Sequence, residues 1–432
     1  GFPSRFLFLK GLIDSGKLSN IKFVLTLLNI SKCIKPKKDE QLPISYDSIT
    51  EPFNRQKEYT IPVWFIKKFV RDNNLYAEVP KYSLKDFYLS MKSSPSGPAL
   101  LSCWTSIVHT NYYMLQTFLN FFHLKWRYYV KTIYRNVLLD DFFNNFYTFA
   151  FNNYDNLPKK VYKDKDPCYH IGKLAVIEAP EGKMRVIATL DYFSQVLLKP
   201  IHDEIFRNLR KFSQDRTFTQ DPMNEWEEND SSFWSLDLTA ATDRFPVKLE
   251  AKVLKYLFRN EDLSRNWLYL LIERDYALPH DFRQSIRYSV GQPMGAYSSW
   301  GAFTLSHHLV VAWAAYLCGV SNFKNYILLG DDIVIKHDAI ARKYISIMHK
   351  LGVSISEMKT HVSVDTYEFA KRWIRGRVEL TGLPLNGLLD NINNYKVVIN
   401  TLYDYCIRRS NLWLYKGTLC DLIINLYFKM KL

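Results

Sequence analysis

The sequence predicts an α+β fold in which a short antiparallel sheet packs on helices. Three observations carry that expectation. Tyr326-Ile-Leu-Leu-Gly330-Asp331-Asp332-Ile-Val-Ile335 sets apolar residues on both sides of Gly-Asp-Asp, the pattern of strand, tight turn and strand. In Ser231-Ser-Phe-Trp-Ser-Leu-Asp237-Leu-Thr-Ala-Ala-Thr-Asp243-Arg244 an apolar and aromatic run ends at Asp237, as a strand does that delivers an acid at its carboxyl edge. Behind the Gly- and Ser-containing loop Gly291-Gln-Pro-Met-Gly295-Ala-Tyr-Ser298-Ser299-Trp300, the run Gly301–Leu317 reads as a helix.

Composition sets the scale. The 432 residues are 47% hydrophobic and 16% aromatic, enough for a large core, which excludes disorder over most of the chain. That length fits two or three domains or one multi-lobed enzyme. Lysine and arginine total 57 against 43 acids, a net charge of +14. The excess favours a polyanionic partner, although solubility alone could also use it. The six cysteines form no CxxC pair and no Cys/His ladder, so a zinc module and a secreted disulfide scaffold are excluded and a reducing compartment fits. Gly1 rather than Met opens the chain, which leaves room for an upstream segment.

Along the chain, the lysine cluster Lys32 to Lys38 reads as a solvated loop, with a nucleic-acid contact as the alternative. Residues 100–151 interleave Tyr, Phe and Trp with Lys and Arg, which suits either helical core or a surface that stacks bases. Prolines at 95–98, 158 and 167 mark expected lobe boundaries. Downstream, Lys173, Lys183 and Arg185 sit on strand-like runs. Lys183 and Arg185 flank Met184 and so share a face, a geometry for gripping phosphates with a point charge and a bidentate fork. The most apolar window, Ala302–Val320, is interrupted by Ser306, His307 and His308 and reads as a buried helix, so no membrane span is expected. Ile340, Tyr344, Ile347, Met348 and Leu351 mark a further helix that Gly352 can end, with Lys359 following on a loop or strand. There is no internal repeat or low-complexity tract.

Each motif alone has a plain structural reading: a helix-capping acid for Asp237, a solvated acidic turn for Asp331 and Asp332, an ordinary turn before Trp300, a solvated edge strand for Lys183 and Arg185. Together they point elsewhere. Two carboxylates brought together from neighbouring strands can bridge two Mg²⁺ ions roughly 4 Å apart for an in-line phosphoryl displacement. Oxygen ligands suit Mg²⁺ or Mn²⁺, and the absence of Cys/His clusters argues against zinc.

SLDLTAATDRFP, GQPMGAYSSWGAFTLSHH, LLGDDIVI, SISEMKTHVS and FAKRWI, in this order, resemble motifs A to E of viral RNA-dependent RNA polymerases, and EGKMRVIA resembles their motif F. The wording is similar to that of the mitoviruses, capsidless positive-strand RNA viruses of fungal mitochondria, and TLLNIS (26–31) and SSPSGPA (93–99) add to the likeness. The resemblance spans about residue 20 to 385. It implies a right-hand polymerase fold of fingers, palm and thumb, with an antiparallel palm sheet packed on helices. The expected partition is 1–165 for the N-terminal region and part of the fingers, 166–375 for fingers and palm, and 376–432 for the start of a thumb cut short at its end.

The resemblance also assigns roles. Asp237 and Asp331 match the metal ligands of motifs A and C, and Asp332 the second motif C acid. Asp243 matches the acid that reads the ribose 2′-hydroxyl, a group that both donates and accepts. Gly295 and Ser299 match the ribose-facing motif B loop. Where many relatives carry Asn eight residues after that glycine, this chain has Phe303, and Ser299 is the candidate to join Asp243 in its place. Lys173, Lys183 and Arg185 are assigned to the triphosphate. Lys359 matches the motif D lysine that protonates departing pyrophosphate, and Lys371 and Arg372 match motif E contacts to product RNA. The implied activity is RNA-directed RNA synthesis replicating a viral genome with two Mg²⁺ or Mn²⁺ ions, RNA and ribonucleoside triphosphates as partners, no obligate protein partner, and residence in the host mitochondrion. Two alternatives use the same residues: a reverse transcriptase, disfavoured by Asp243 and Ser299 near the sugar, and a non-catalytic RNA-binding remnant, disfavoured by the intact acids of motifs A and C.

Overall fold

The computed structural model describes residues 4–33, 43–53, 59–82, 87–110, 112–122, 170–179 and 183–405, with scattered positions beyond these. Pro158, Pro167, most of the lysine cluster and residues 123–144 of the aromatic stretch 100–151 lie outside the described residues. The described part of that stretch is helical core: helices Ala99–Val108 and Tyr112–Phe122 bury Cys103, Ile107, Met114, Phe118 and Phe121.

A long antiparallel hairpin pairs β1 (Gly172–Ala179) with β2 (Lys183–Leu190), from Gly172 opposite Leu190 to Ala179 opposite Lys183. Asp191 then caps helix α1 (Tyr192–Leu209), accepting a hydrogen bond from the Ser194 N–H at 3.0 Å. The strand β3 (Phe233–Thr239) leads through a left-handed Ala240 into a short turn of helix and on to α2 (Val247–Leu257) and α3 (Glu261–Ile272). Two short strands, β4 (Tyr276–Ala277) and β5 (Ser285–Ile286), complete a four-stranded sheet in which β4 runs parallel to β1. Arg274 ties this region together: fully buried, it meets Asp191 at 2.8 Å and donates to Ser194 Oγ and the Ile171 carbonyl. A desolvated charge pair stands only when its hydrogen bonds are filled, and these largely are.

Helix α4 (Ser299–Leu317) is buried almost all round, its apolar residues together with Thr304, Ser306, His307 and His308. It is the helix expected from the Ala302–Val320 window, and among the described residues no helix is long and apolar enough to cross a membrane. The predicted hairpin follows as β6 (Tyr326–Leu329) and β7 (Asp332–Ile335), then α5 (Asp338–Lys350) and the short strands β8 (Ser354–Ile355) and β9 (His361–Ser363). β3 lies between β7 and the pair β8 and β9, all antiparallel, and β6 closes the other edge. The period-2 alternation of strands sorts the two faces. Leu236, Leu238, Leu328, Ile333 and Ile335 enter the main core with α4 and α5, while Phe233, Ile327 and Val334 form a second core with Tyr367, Phe369 and Ile374. Those last three belong to the three-stranded ribbon β10 (Thr366–Phe369), β11 (Arg372–Arg375) and β12 (Val378–Glu379).

Candidate active site

The central sheet brings the acids together through its register. Asp237 of β3 lies directly opposite Asp332 of β7, and the two-residue turn Gly330-Asp331 carries the third acid. Glycine is required in that turn twice over. Its φ is +59°, and a Cβ there would stand 2.7 Å from the Trp300 indole nitrogen. The turn is also held from beneath. His307 of α4, fully buried, has its pKa pushed down to about 3 chiefly by burial, so the ring is neutral. Its Nδ1 lies 2.8 Å from the Gly330 carbonyl and its Nε2 lies 2.6 Å from the Tyr344 hydroxyl. A carbonyl can only accept, so Nδ1 carries the hydrogen and Nε2 accepts from Tyr344.

Like charges directly opposite on a sheet repel, and the electrostatics show it. Desolvation first, then Asp331, Asp237 and Glu368, raise Asp332 to about 7, against the opposing charge of Lys371. Surrounding protein and then Asp237 also raise Asp331, although it stands open to solvent at the turn; Arg185 and Lys359 work the other way. Glu368 is an acid of this site that motif reading missed. It sits on β10, where its N–H donates to Ser235 Oγ at 2.9 Å. The Lys359 ammonium rests on Asp237 at 2.5 Å, and this bond holds its pKa above the ordinary range. The turn that carries Lys359 is itself tied to Asp237, whose carbonyl accepts from the Ser356 N–H at 2.9 Å.

The remaining residues predicted for the site divide. Lys183 and Arg185 are exposed on one face of β2, and the Arg185 charge reaches Asp331. Lys173 shares that face but lies six residues along the ladder from Lys183, ~20 Å away. Its Nζ sits 5.2 Å from the Phe282 ring centre, so the expected trio is a pair. Gly295, φ +119°, packs so close that a Cβ would meet the Ala188 carbonyl at 2.4 Å, which pins the 291–298 loop to β2. Ser299, the candidate to join Asp243, is engaged within its own loop. It is buried, and its Oγ donates to the Pro293 carbonyl at 2.8 Å, because a buried hydroxyl must satisfy itself locally. Lys371 stands exposed in the left-handed turn Ala370-Lys371 between β10 and β11, near the acids. Arg372 is committed elsewhere: it grips the buried Glu379 with two guanidinium nitrogens, at 2.9 and 2.5 Å, rather than facing outward. Asp243, half-buried beyond the end of β3, accepts from Ser48 Oγ at 2.8 Å. Burial raises its pKa, and Ser48 and Arg244 oppose that rise.

Among the described residues no three His, Cys, Asp or Glu side chains are gathered into a ready metal cage. Mg²⁺ does not need one, since it keeps several waters and is shared between one or two carboxylates and substrate phosphates. Opposed carboxylates, one of them raised to about 7, with an ammonium already drawn onto Asp237, are a donor set that fits a hard divalent cation.

The family model for mitovirus RNA-dependent RNA polymerase matches residues 80–432. An RNA-directed RNA polymerase of Cryphonectria parasitica mitovirus 1 is 40% identical over 213 residues, which is 48% of this chain and 26% of that protein. Two uncharacterised mitochondrial proteins of Arabidopsis thaliana are similar as well: one is 38% identical over 39% of this chain and 70% of its own length, the other 35% identical over 36% and 78%. Among solved structures, the RNA-dependent RNA polymerase of a human picorbirnavirus superimposes with a TM-score of 0.55, covering 98% of this chain and 86% of that one at 13% identity. At that identity the likeness speaks for the fold, and the fold is the α+β right-hand polymerase arrangement that the motifs implied.

Proposed function

The chain belongs to the mitovirus RNA-dependent RNA polymerase family, and from that premise we propose that it synthesises RNA on an RNA template and so replicates a viral genome. The register that sets Asp237 against Asp332, with Asp331 in the adjoining turn, is the observation that carries the reading. In the reaction the 3′-hydroxyl of the growing strand attacks the α-phosphorus of a ribonucleoside triphosphate, an O–P bond forms, and the bond to pyrophosphate breaks.

Asp237 and Asp331 would hold the divalent ions, with Asp332 behind them. Bound Mg²⁺ or Mn²⁺ supplies charge neutralisation and in-line alignment. The other steps fall to the chain's own groups. Lys183 and Arg185 bind the triphosphate oxygens, the arginine as a bidentate fork. Lys359 carries the proton at Nζ that passes to the leaving pyrophosphate oxygen. Its pKa is raised beside the acids, so it arrives protonated. Asp243 accepts from the ribose 2′-hydroxyl. Lys371, whose charge reaches Asp332, would contact the product backbone.

In this reading residues 166–375 supply fingers and palm and 376–432 begin the thumb. The net charge of +14 holds template and product through their phosphates. The mitochondrial relatives support residence in that organelle. The test is incorporation of labelled NTP on an RNA template, with Mg²⁺, with EDTA, and with Asp331→Asn. Synthesis should vanish with EDTA and fall at least ~100-fold in the variant. Turnover by Asp331→Asn near that of the parent chain would refute the assignment.

A further inference from the structure

We infer that Ser48, from a segment far upstream of the motifs, is the partner that completes ribose recognition by Asp243. The inference rests on the polymerase reading above. Phe303 stands where many relatives carry the asparagine that accompanies this acid. It offers no polar group: it is buried and packs edge-to-face on Phe245 at 5.2 Å. The serines of the 291–298 loop and its helix start are spent as well. Ser299 Oγ donates to Pro293, while Ser298 Oγ donates to the Tyr297 carbonyl and accepts from Trp267 Nε1. Gln292 donates to Glu250 and to the Ser299 carbonyl. Among the described residues, the side-chain hydroxyl that reaches the Asp243 carboxylate is that of Ser48, at 2.8 Å on Oδ2.

The segment is built into place rather than resting there. Ile49 is buried, Ser289 donates from both its backbone and its hydroxyl to the Ile49 carbonyl, and Arg244 donates to the carbonyls of Ser48, Glu51 and Pro52. A carboxylate half-buried beside a fixed hydroxyl has one oxygen occupied and its rotation restricted, which leaves Oδ1 as an oriented acceptor for a 2′-hydroxyl. Remove the Ser48 hydroxyl and Asp243 loses the bond that fixes its aim.

The test measures discrimination on the full chain: the ratio of kcat/KM for ATP over 2′-dATP in template-directed incorporation, and in parallel the ratio of their equilibrium affinities. A lost hydrogen bond to a charged group predicts a fall of ~10-fold in both ratios for Ser48→Ala. Ser48→Thr, which keeps the hydroxyl, should restore them. Ser289→Ala weakens docking of the segment without touching Asp243 and should leave both ratios intact. Ser48→Ala ratios equal to those of the parent overturn the inference, and so does an equal loss in Ser289→Ala, since docking alone would then explain it. If no chain incorporates nucleotide yet the affinity ratio falls in Ser48→Ala, the ribose site stands and the polymerase reading falls.

Discussion

Lys359 occupies the ground a cation would take. Its ammonium sits on Asp237, so in the proposed reaction a divalent ion would displace it and the same lysine would then meet the leaving pyrophosphate. These two duties separate in a variant that keeps the stem and loses the charge. Lys359→Met should bind Mn²⁺ more tightly, read by titration of the free ion, while its turnover falls by about 10²-fold or more through loss of the proton donor. Weaker Mn²⁺ binding in the variant would mean that the ammonium does not compete for Asp237. Neither duty was visible in the sequence beyond the motif itself. A lysine 122 residues from its partner gives no local signal of the pairing.

At the scale of elements, the local patterns were legible and the long-range ones were not. Apolar runs around a glycine give strand, turn and strand wherever they occur, and Asp237 at the end of an apolar run gives a strand edge. The face each residue takes follows from parity, so the opposition of Asp237 and Asp332 needed only the register. Polar partnering was hidden: His307 to Gly330, Glu368 beside Asp332, Ser48 to Asp243 and Arg372 to Glu379 are all set by tertiary packing. The commitment of Ser299 was hidden too, because a hydroxyl in a small-residue loop looks available until its burial and its bond to Pro293 are seen. The clamp under the acidic turn is testable as an element. His307→Phe fills the same space but leaves the Gly330 carbonyl and the Tyr344 hydroxyl without partners, at about 1–3 kcal/mol each. The variant should lose stability in urea unfolding and lose turnover more than substrate affinity, because the turn that carries Asp331 is no longer held. A variant that raises KM alone would place the histidine outside the positioning of the acids.

At the scale of the whole molecule, buried carboxyls set how stability answers to pH. Glu250 is fully buried and held well above its ordinary 4.5 by desolvation, with Gln292 in partial opposition. The unfolded chain gives up that proton near 4.5 while the folded chain keeps it, so stability falls as pH rises from there until the folded carboxyl ionises too. The slope from one such group is at most ~1.4 kcal/mol per pH unit. Asp332, raised to about 7, adds the same sign in metal-free protein. Glu250→Gln should flatten its share, seen as a stability gain over the parent chain that grows from pH 5 to 8; a difference constant with pH would show that the folded carboxyl is already ionised there and is not held above its ordinary range. Helix α4 joins these scales. Trp300 in its first turn abuts Gly330, His307 two turns on holds the same residue from below, and its start receives the 291–298 loop. About 12 Å of helix therefore runs from the end of the 291–298 loop to the histidine beneath the acidic turn. Two contacts from one helix to a single glycine make the acidic turn and that loop one mechanical unit, so a substitution that shifts the helix is expected to be felt at both.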